Sequence, residues 1–186
     1  MNYNDEIKSG TSVVGFDIGE NINSYFPHLY LQEVEVDRVI FSKGKSNEIH
    51  RYIIDKNIKI NTSEKGEILN ISCTNTYYGK YKNMLYLGIT VQEVISKTDK
   101  QVIMFDSLFV NQDYGFCFVL PYPYNDIDYI SHLPKDLVLK EFMVGLKNGL
   151  GNELNMLLRF IYQSIIHKRV YGTSSKGGKQ EKYVKK

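Results

Sequence analysis

The residues in this chain that could do chemistry are four histidines, two cysteines and a scatter of carboxylates. His28, His50, His132 and His167 stand singly, none at metal-ligand spacing from another or from a cysteine, so each reads as a surface or core histidine. Cys73 with a distant histidine could imitate a cysteine hydrolase, but no local motif surrounds it. Cys73 and Cys117 lie in apolar, strand-like runs and read as buried free thiols; two cysteines make neither a zinc set nor a disulfide framework. The chain has no phosphate-binding glycine loop, no dinucleotide fingerprint, no HExxH and no GxSxG. The expectation is a protein without catalytic residues, metal or cofactor.

The carboxylates and tyrosines offer recognition instead. Glu33, Glu35, Asp37, Asp99, Asp106, Asp113, Asp126 and Asp128 form either a solvated surface or a patch for a basic partner, in which charge steers encounter. The 15 tyrosines, with no tryptophan, can be put down to codon bias, or in part to stiff contact area with a polar tip. Tyr77, Tyr78, Tyr81, Tyr122 and Tyr124 cluster in turn-forming stretches, where an interface would use them. The net charge of +2 is unevenly distributed: the stretch from His167 onward is basic, and residues 1–166 are net acidic. The basic tail reads as a solubilising terminus, with no direct nucleic-acid role expected.

These residues must be held by strands and short helices. Alternation at Ile68–Cys73 predicts a strand, followed by a turn at Gly79 and a short strand ending at Leu87-Gly88. Thr90 with Glu93 forms a capping box for a helix over 90–97. Before them come a strand at Ser12–Ile18, a short helix near 20–26, and strands around Val34–Phe41, Ile49–Asp55 and Ile58–Ile60. After them, Gln101–Val110 and Gly115–Leu120 read as a hairpin that PYPY at 121–124 stops. The stretches 127–132 and 137–144 are compatible with strand or helix, strand being the preferred reading.

A shift of 69 residues superposes Ile18-Gly19 on Leu87-Gly88, Ile22 on Val91 and Asp37 on Asp106, a weak internal repeat with units near 12–63 and 67–145. Residues 152–166 carry an unbroken apolar stripe from Leu154 to Ile166 and predict an amphipathic helix, docked on the domain or pairing two copies as a homodimer. The expected fold is therefore α+β: antiparallel sheets with short helices, a possible internal αβ duplication and a C-terminal amphipathic helix, in one domain over 12–166. Residues 1–11 and 172–186 are expected to be flexible. No signal peptide or membrane span is read, which points to the cytoplasm.

GFDIGENI at 15–22, EKGEILNISCTNTYYGKYKNMLYLGITVQEVI at 64–95 and FDSLFVNQDYGFCFVL at 105–120 together resemble small bacterial immunity proteins encoded beside polymorphic and contact-dependent growth-inhibition toxins. The resemblance covers about residues 12–145 and rests on structural glycines and strand patterns; the 152–166 stretch and the tail have no counterpart in it. It implies a cytoplasmic inhibitor, without enzymatic activity, that binds one cognate toxin domain, many such toxins being basic nucleases. The residues assigned to that interface are Tyr77, Tyr78, Tyr81, Asp106, Asp113, Tyr122, Tyr124, Asp126 and Asp128. The alternative is a ligand-binding or adaptor αβ-repeat module.

Overall fold

A computed structural model describes residues 3–29, 31–43, 45–74 and 77–147, with side chains described except over 39–47. The predicted helix at 152–166 and the basic tail lie outside the described residues. Eight of the described strands form one antiparallel sheet: β3 (Val34–Lys43), β4 (Lys45–Ile54), β5 (Ile58–Ser63), β6 (Ile68–Thr74), β7 (Gln101–Met104), β8 (Ser107–Val110), β9 (Asp113–Val119) and β10 (Glu141–Gly145). Their order across the sheet is β3-β4-β5-β6-β10-β9-β8-β7. Two further strands, β1 (Ser12–Val13) and β2 (Phe16–Asp17), make a small hairpin. The helical elements include a 3-10 turn at Ile22–Tyr25 running into α1 (Phe26–Leu29), α2 (Val91–Lys97), and short 3-10 turns at Tyr124–Asp126 and Ile130–His132. No helix among the described residues is long and apolar enough to cross a membrane.

One face of the sheet carries the core. Ile54, Ile58, Ile60, Ile71, Cys73, Phe142, Val144, Phe116, Phe118 and Leu108 lie on it, each beside its neighbour in register. Val91 and Val94 of α2, Ile22 and Leu29 of the first helical stretch, and Leu85, Ile89 and Leu139 from connecting segments close over that face. The alternation of β-branched and aromatic residues thus does what period-2 patterning requires: it aims one side of every central strand at a shared apolar layer. The Thr90 hydroxyl accepts from the Glu93 amide while the Glu93 carboxylate accepts from the Thr90 amide, so the capping box forms as its spacing predicts.

The strand order is symmetric about the middle of the sheet, four strands running inward to β6 on one side and to β10 on the other. β6 pairs with β10 so that Ser72 faces Met143, with Ile71 opposite Val144 and Cys73 opposite Phe142 on either side. The flanking backbone bonds repeat as well. Gly19 N–H donates to Ile68 O and Gly88 N–H to Leu139 O; Ile22 N–H donates to Gly66 O and Val91 N–H to Leu137 O. Asn21 bridges Glu67 as Thr90 bridges Val138. Gly19 and Gly88 both adopt positive φ, +91° and +92°, which a residue without Cβ takes at no steric cost.

The 69-residue correspondence does not run the length of the chain: Asp37 lies within β3 whereas Asp106 sits in the β7–β8 turn, so the offset fails beyond the helices. Gly88 does not follow a strand: Leu85 makes only an isolated bridge to Tyr81. The predicted strand at 12–18 is two short strands around Val14 and Gly15, both at positive φ. The expected strand at 101–110 is two, divided at Phe105 and Asp106, which adopt positive φ without glycine. Between 127 and 144 only Glu141–Gly145 is strand, and 130–132 is a 3-10 turn.

The N-terminal segment is the largest departure. Residues 1–11 are expected to be flexible, yet the described residues 3–11 run as a strap across the domain. Ile7 is buried, its N–H donates to Lys80 O, and Tyr78 N–H donates to Tyr3 O. The Tyr3 hydroxyl donates to Asp55 in the first half, and the Ser9 hydroxyl donates to Asp113 in the second. A mostly polar strap can be ordered because backbone bonds and these two carboxylates satisfy it, with Ile7 as its apolar anchor.

Candidate protein-binding surface

The predicted interface residues separate into an interior group and an exposed group. Tyr77 and Tyr81 are buried, which corrects the reading that placed them on a partner-facing loop. Gly79 brings this turn against the strap so closely that a Cβ there would overlap the Asp5 carbonyl and the Tyr77 hydroxyl. The turn therefore folds inward. The Tyr77 hydroxyl donates to Asp5 O, and its ring meets Phe142 edge-on at 5.3 Å. The Tyr81 ring stacks on Phe116, with centroids 4.3 Å apart, and its hydroxyl donates to Asp113.

Asp113 is consequently a structural acceptor. Burial alone would raise its pKa; hydrogen bonds from Ser9, Tyr81 and the Gly115 amide outweigh that and hold the carboxyl below its ordinary range. Burial and the Asp113 charge push the Tyr81 hydroxyl up. Burial likewise raises both thiols, Cys117 to about 12, so Cys73 and Cys117 sit as buried, protonated free thiols, as their apolar setting predicts.

The exposed group gathers at one end of the sheet. Because neighbouring strands alternate in direction, the β4–β5 turn, residues 77–80, the β7–β8 turn and the long 120–140 connection all leave from the same end. Leu120 N–H donates to Asp106 O, tying the start of that connection to the β7–β8 turn. Tyr124–Asp126 form a 3-10 turn, and the turn at Ile130–His132 packs beside β7. Asp106 and Asp126 are thereby brought near each other: burial first, and then the charge of Asp126, raises the Asp106 pKa.

Exposed aromatic side chains stand at the same end of the sheet as these carboxylates. Tyr122 is 73% exposed, Tyr129 is 66% exposed, and Phe105 is exposed at the tip of the β7–β8 turn. Asp126 and Asp128 are exposed, while Tyr124 is half-buried and packs on the core. Tyr78, 69% exposed, stands at the same end of the sheet beside Tyr3. Phe105 and Tyr129 were missed in the sequence reading. Phe105 lies in a turn without glycine or proline, and Tyr129 in a stretch read as strand; the sequence signal available was their place next to Asp106 and Asp128.

This end of the sheet sets exposed aromatic area beside carboxylates, one of them partly desolvated, a combination that would complement a cationic surface. Among the described residues no three His, Cys, Asp or Glu side chains come together in a way that could hold a metal ion. No protein-family model, curated protein or solved structure matches this chain.

Proposed function

We propose that this protein is a cytoplasmic immunity protein that binds one cognate toxin domain of a bacterial competition system and blocks it stoichiometrically, without chemistry of its own. The observation that carries the reading is the exposed acidic and aromatic end of the sheet, where Asp106, Asp126 and Asp128 sit among Phe105, Tyr122 and Tyr129. A basic nuclease domain would meet there the charge that steers it and the rings that anchor it. The resemblance in residues 12–145 supplies the partner class.

The interior residues have a different part in this reading. Tyr77, Tyr81 and Asp113 hold the strap and the second half of the sheet together, so the loop end is presented on a stiff base and little ordering entropy is lost on binding. Co-expression with the toxin encoded beside it tests the reading. Cells carrying both genes survive if it holds. Death at the same rate with and without this protein would reject it in favour of the ligand-binding or adaptor module.

A further inference from the structure

β3 is the outermost strand on one side of the sheet, and its outer edge faces away from β4. The direction of its backbone groups follows from one neighbouring bond. Asp55 N–H donates to Glu33 O, and Glu33 stands opposite Asp55 when the β3–β4 register is continued by one pair. In an antiparallel pair the hydrogen-bonded positions alternate. Glu35 and Asp37 therefore turn their N–H and C=O groups toward β4, and Val34, Val36 and Arg38 turn theirs outward. Among the described residues no strand lies beyond that edge.

The two faces beside the edge differ. Val34, Val36 and Arg38 share the core side. There Val36, 51% exposed, stands opposite Tyr52 in register, and the Tyr52 ring meets the exposed Phe26 at 5.9 Å. Glu48 engages Arg38 at 3.4 Å, which leaves the Val34–Val36 end apolar. Glu35 and Asp37 share the other face, with Glu33 just ahead of them. Lys56 lies 3.5 Å from Glu33, and Asp37 stands opposite Arg51. Glu35, exposed and opposite Ile53, is the carboxylate an incoming cation would meet first.

We propose that the outer edge of β3 at Val34–Arg38 is a strand-addition site for an extended segment of a second protein, apolar on one side and basic on the other. Outward N–H and C=O groups at alternate residues are what an added strand bonds to. The side of Phe26, Tyr52 and Val36 takes its apolar residues, and the side of Glu35 takes its cations. A second copy of this chain does not fit. A twofold axis would bring two β3 edges together antiparallel, with outward residues facing outward residues. Centred on Glu35, Val36, Asp37 or Arg38, that pairing sets Glu35 against Glu35, Glu35 against Asp37, Asp37 against Asp37 or Arg38 against Arg38. Like charges directly opposite are destabilising. The edge is separated from β7 and the Asp106 turn by the width of the sheet, about 30 Å at ordinary strand spacing. It is a second surface, and it does not rest on the toxin-binding reading.

The probe is a capped peptide alternating lysine and valine, titrated into the full chain while amide exchange is followed by NMR. In the free chain the Val34, Val36 and Arg38 amides should exchange faster than those of Glu35 and Asp37. The peptide should slow the first set by about tenfold or more and leave the second unchanged. A peptide alternating glutamate and valine should bind about tenfold more weakly. The lysine–valine peptide with every amide N-methylated keeps the side chains, loses the strand donors and should not bind. V36P removes an outward N–H that no ladder bond uses, and should abolish the protection; should that variant not fold, the N-methylated peptide gives the same decision. Outward amides already slow in the free monomer would show that the chain covers its own edge, and a dimer on concentration would show that a second copy does. Either overturns the proposal, as would equal binding of the acidic peptide or an absence of protection along β3.

Discussion

The Tyr81 hydroxyl donates a hydrogen bond to Asp113, joining the turn after the first half of the sheet to the start of β9 in the second. Asp113 also accepts from Ser9, so one carboxylate ties three separate stretches of chain. Replacing it with Asn keeps the shape and removes the charge. D113N should lose about 1–3 kcal/mol of stability at pH 7, measured by urea denaturation. The pH dependence has a fixed sign. Asp113 has its pKa lowered in the fold, so its contribution is complete above the unfolded value and fades as pH falls through the folded one. The gap between wild type and D113N should therefore close in acid; a gap of constant size would show that charge is not what Asp113 supplies.

The tyrosines should divide by exposure. Tyr122→Ala should leave the melting temperature in place and weaken toxin binding by about 2 kcal/mol, roughly 30-fold in Kd, if Tyr122 anchors the interface. Tyr81→Ala empties a stacked core position and should cost about 3–5 kcal/mol of folding stability. Calorimetric unfolding beside titration of the toxin separates the two, and a Tyr122 variant that melts early would remove it from the binding surface.

Binding should weaken on mild acidification. Asp106 has a raised pKa, from burial and then from Asp126, so it takes up a proton before ordinary carboxylates do as pH falls from neutrality. Affinity for a basic partner should drop just above the ordinary carboxylate range. D106N should be weaker at pH 7 and lack that drop. Wild-type affinity that stays flat until ordinary carboxylates titrate would count against Asp106 as a contact.

Gly79→Ala should release the strap. The added methyl would overlap the Asp5 carbonyl, which is backbone and cannot swing aside. A loss of about 1–3 kcal/mol is expected from such overpacking. Hydrogen exchange should quicken first at the Ile7 and Tyr78 amides, whose acceptors are Lys80 O and Tyr3 O. Exchange that quickens evenly over the whole sheet would instead mark Gly79 as a general folding residue.

Much of the fold was legible because strands and caps carry local signals. Thr90 and Glu93 announce the start of α2 three residues apart, and Ile58, Ile60, Ile68 and Ile71 announce the strands they occupy. The strap was not legible: apart from Ile7 its order comes from contacts with residues more than fifty positions away, such as Tyr3 with Asp55 and Ser9 with Asp113. The β7–β8 turn was hidden for a different reason. Phe105 and Asp106 hold positive φ without the glycine or asparagine that usually marks it. Of the expected interface, Asp106, Asp126 and Tyr122 come together at one end, while Tyr77 and Tyr81 were misplaced because a tyrosine in a turn looks the same from sequence whether the turn faces water or the core.

The placement of β10 between β6 and β9 has a bearing on how the chain is made. Synthesis delivers β6 complete at Thr74 but its partner only at Glu141. At ordinary translation rates of about 5–20 residues per second that interval lasts several seconds. Throughout it the nascent first half carries an unsatisfied strand edge lined by Ile71 and Cys73, the kind of edge that recruits foreign strands. The central strand arrives late and locks both halves at once, so commitment to the native state is a single event near the end of the described chain. A circular permutant that opens the chain in the 120–140 connection would make β10 before β6, so that the β6 edge would find its partner already made when it is synthesised. It should aggregate less during synthesis than the natural order of the same residues.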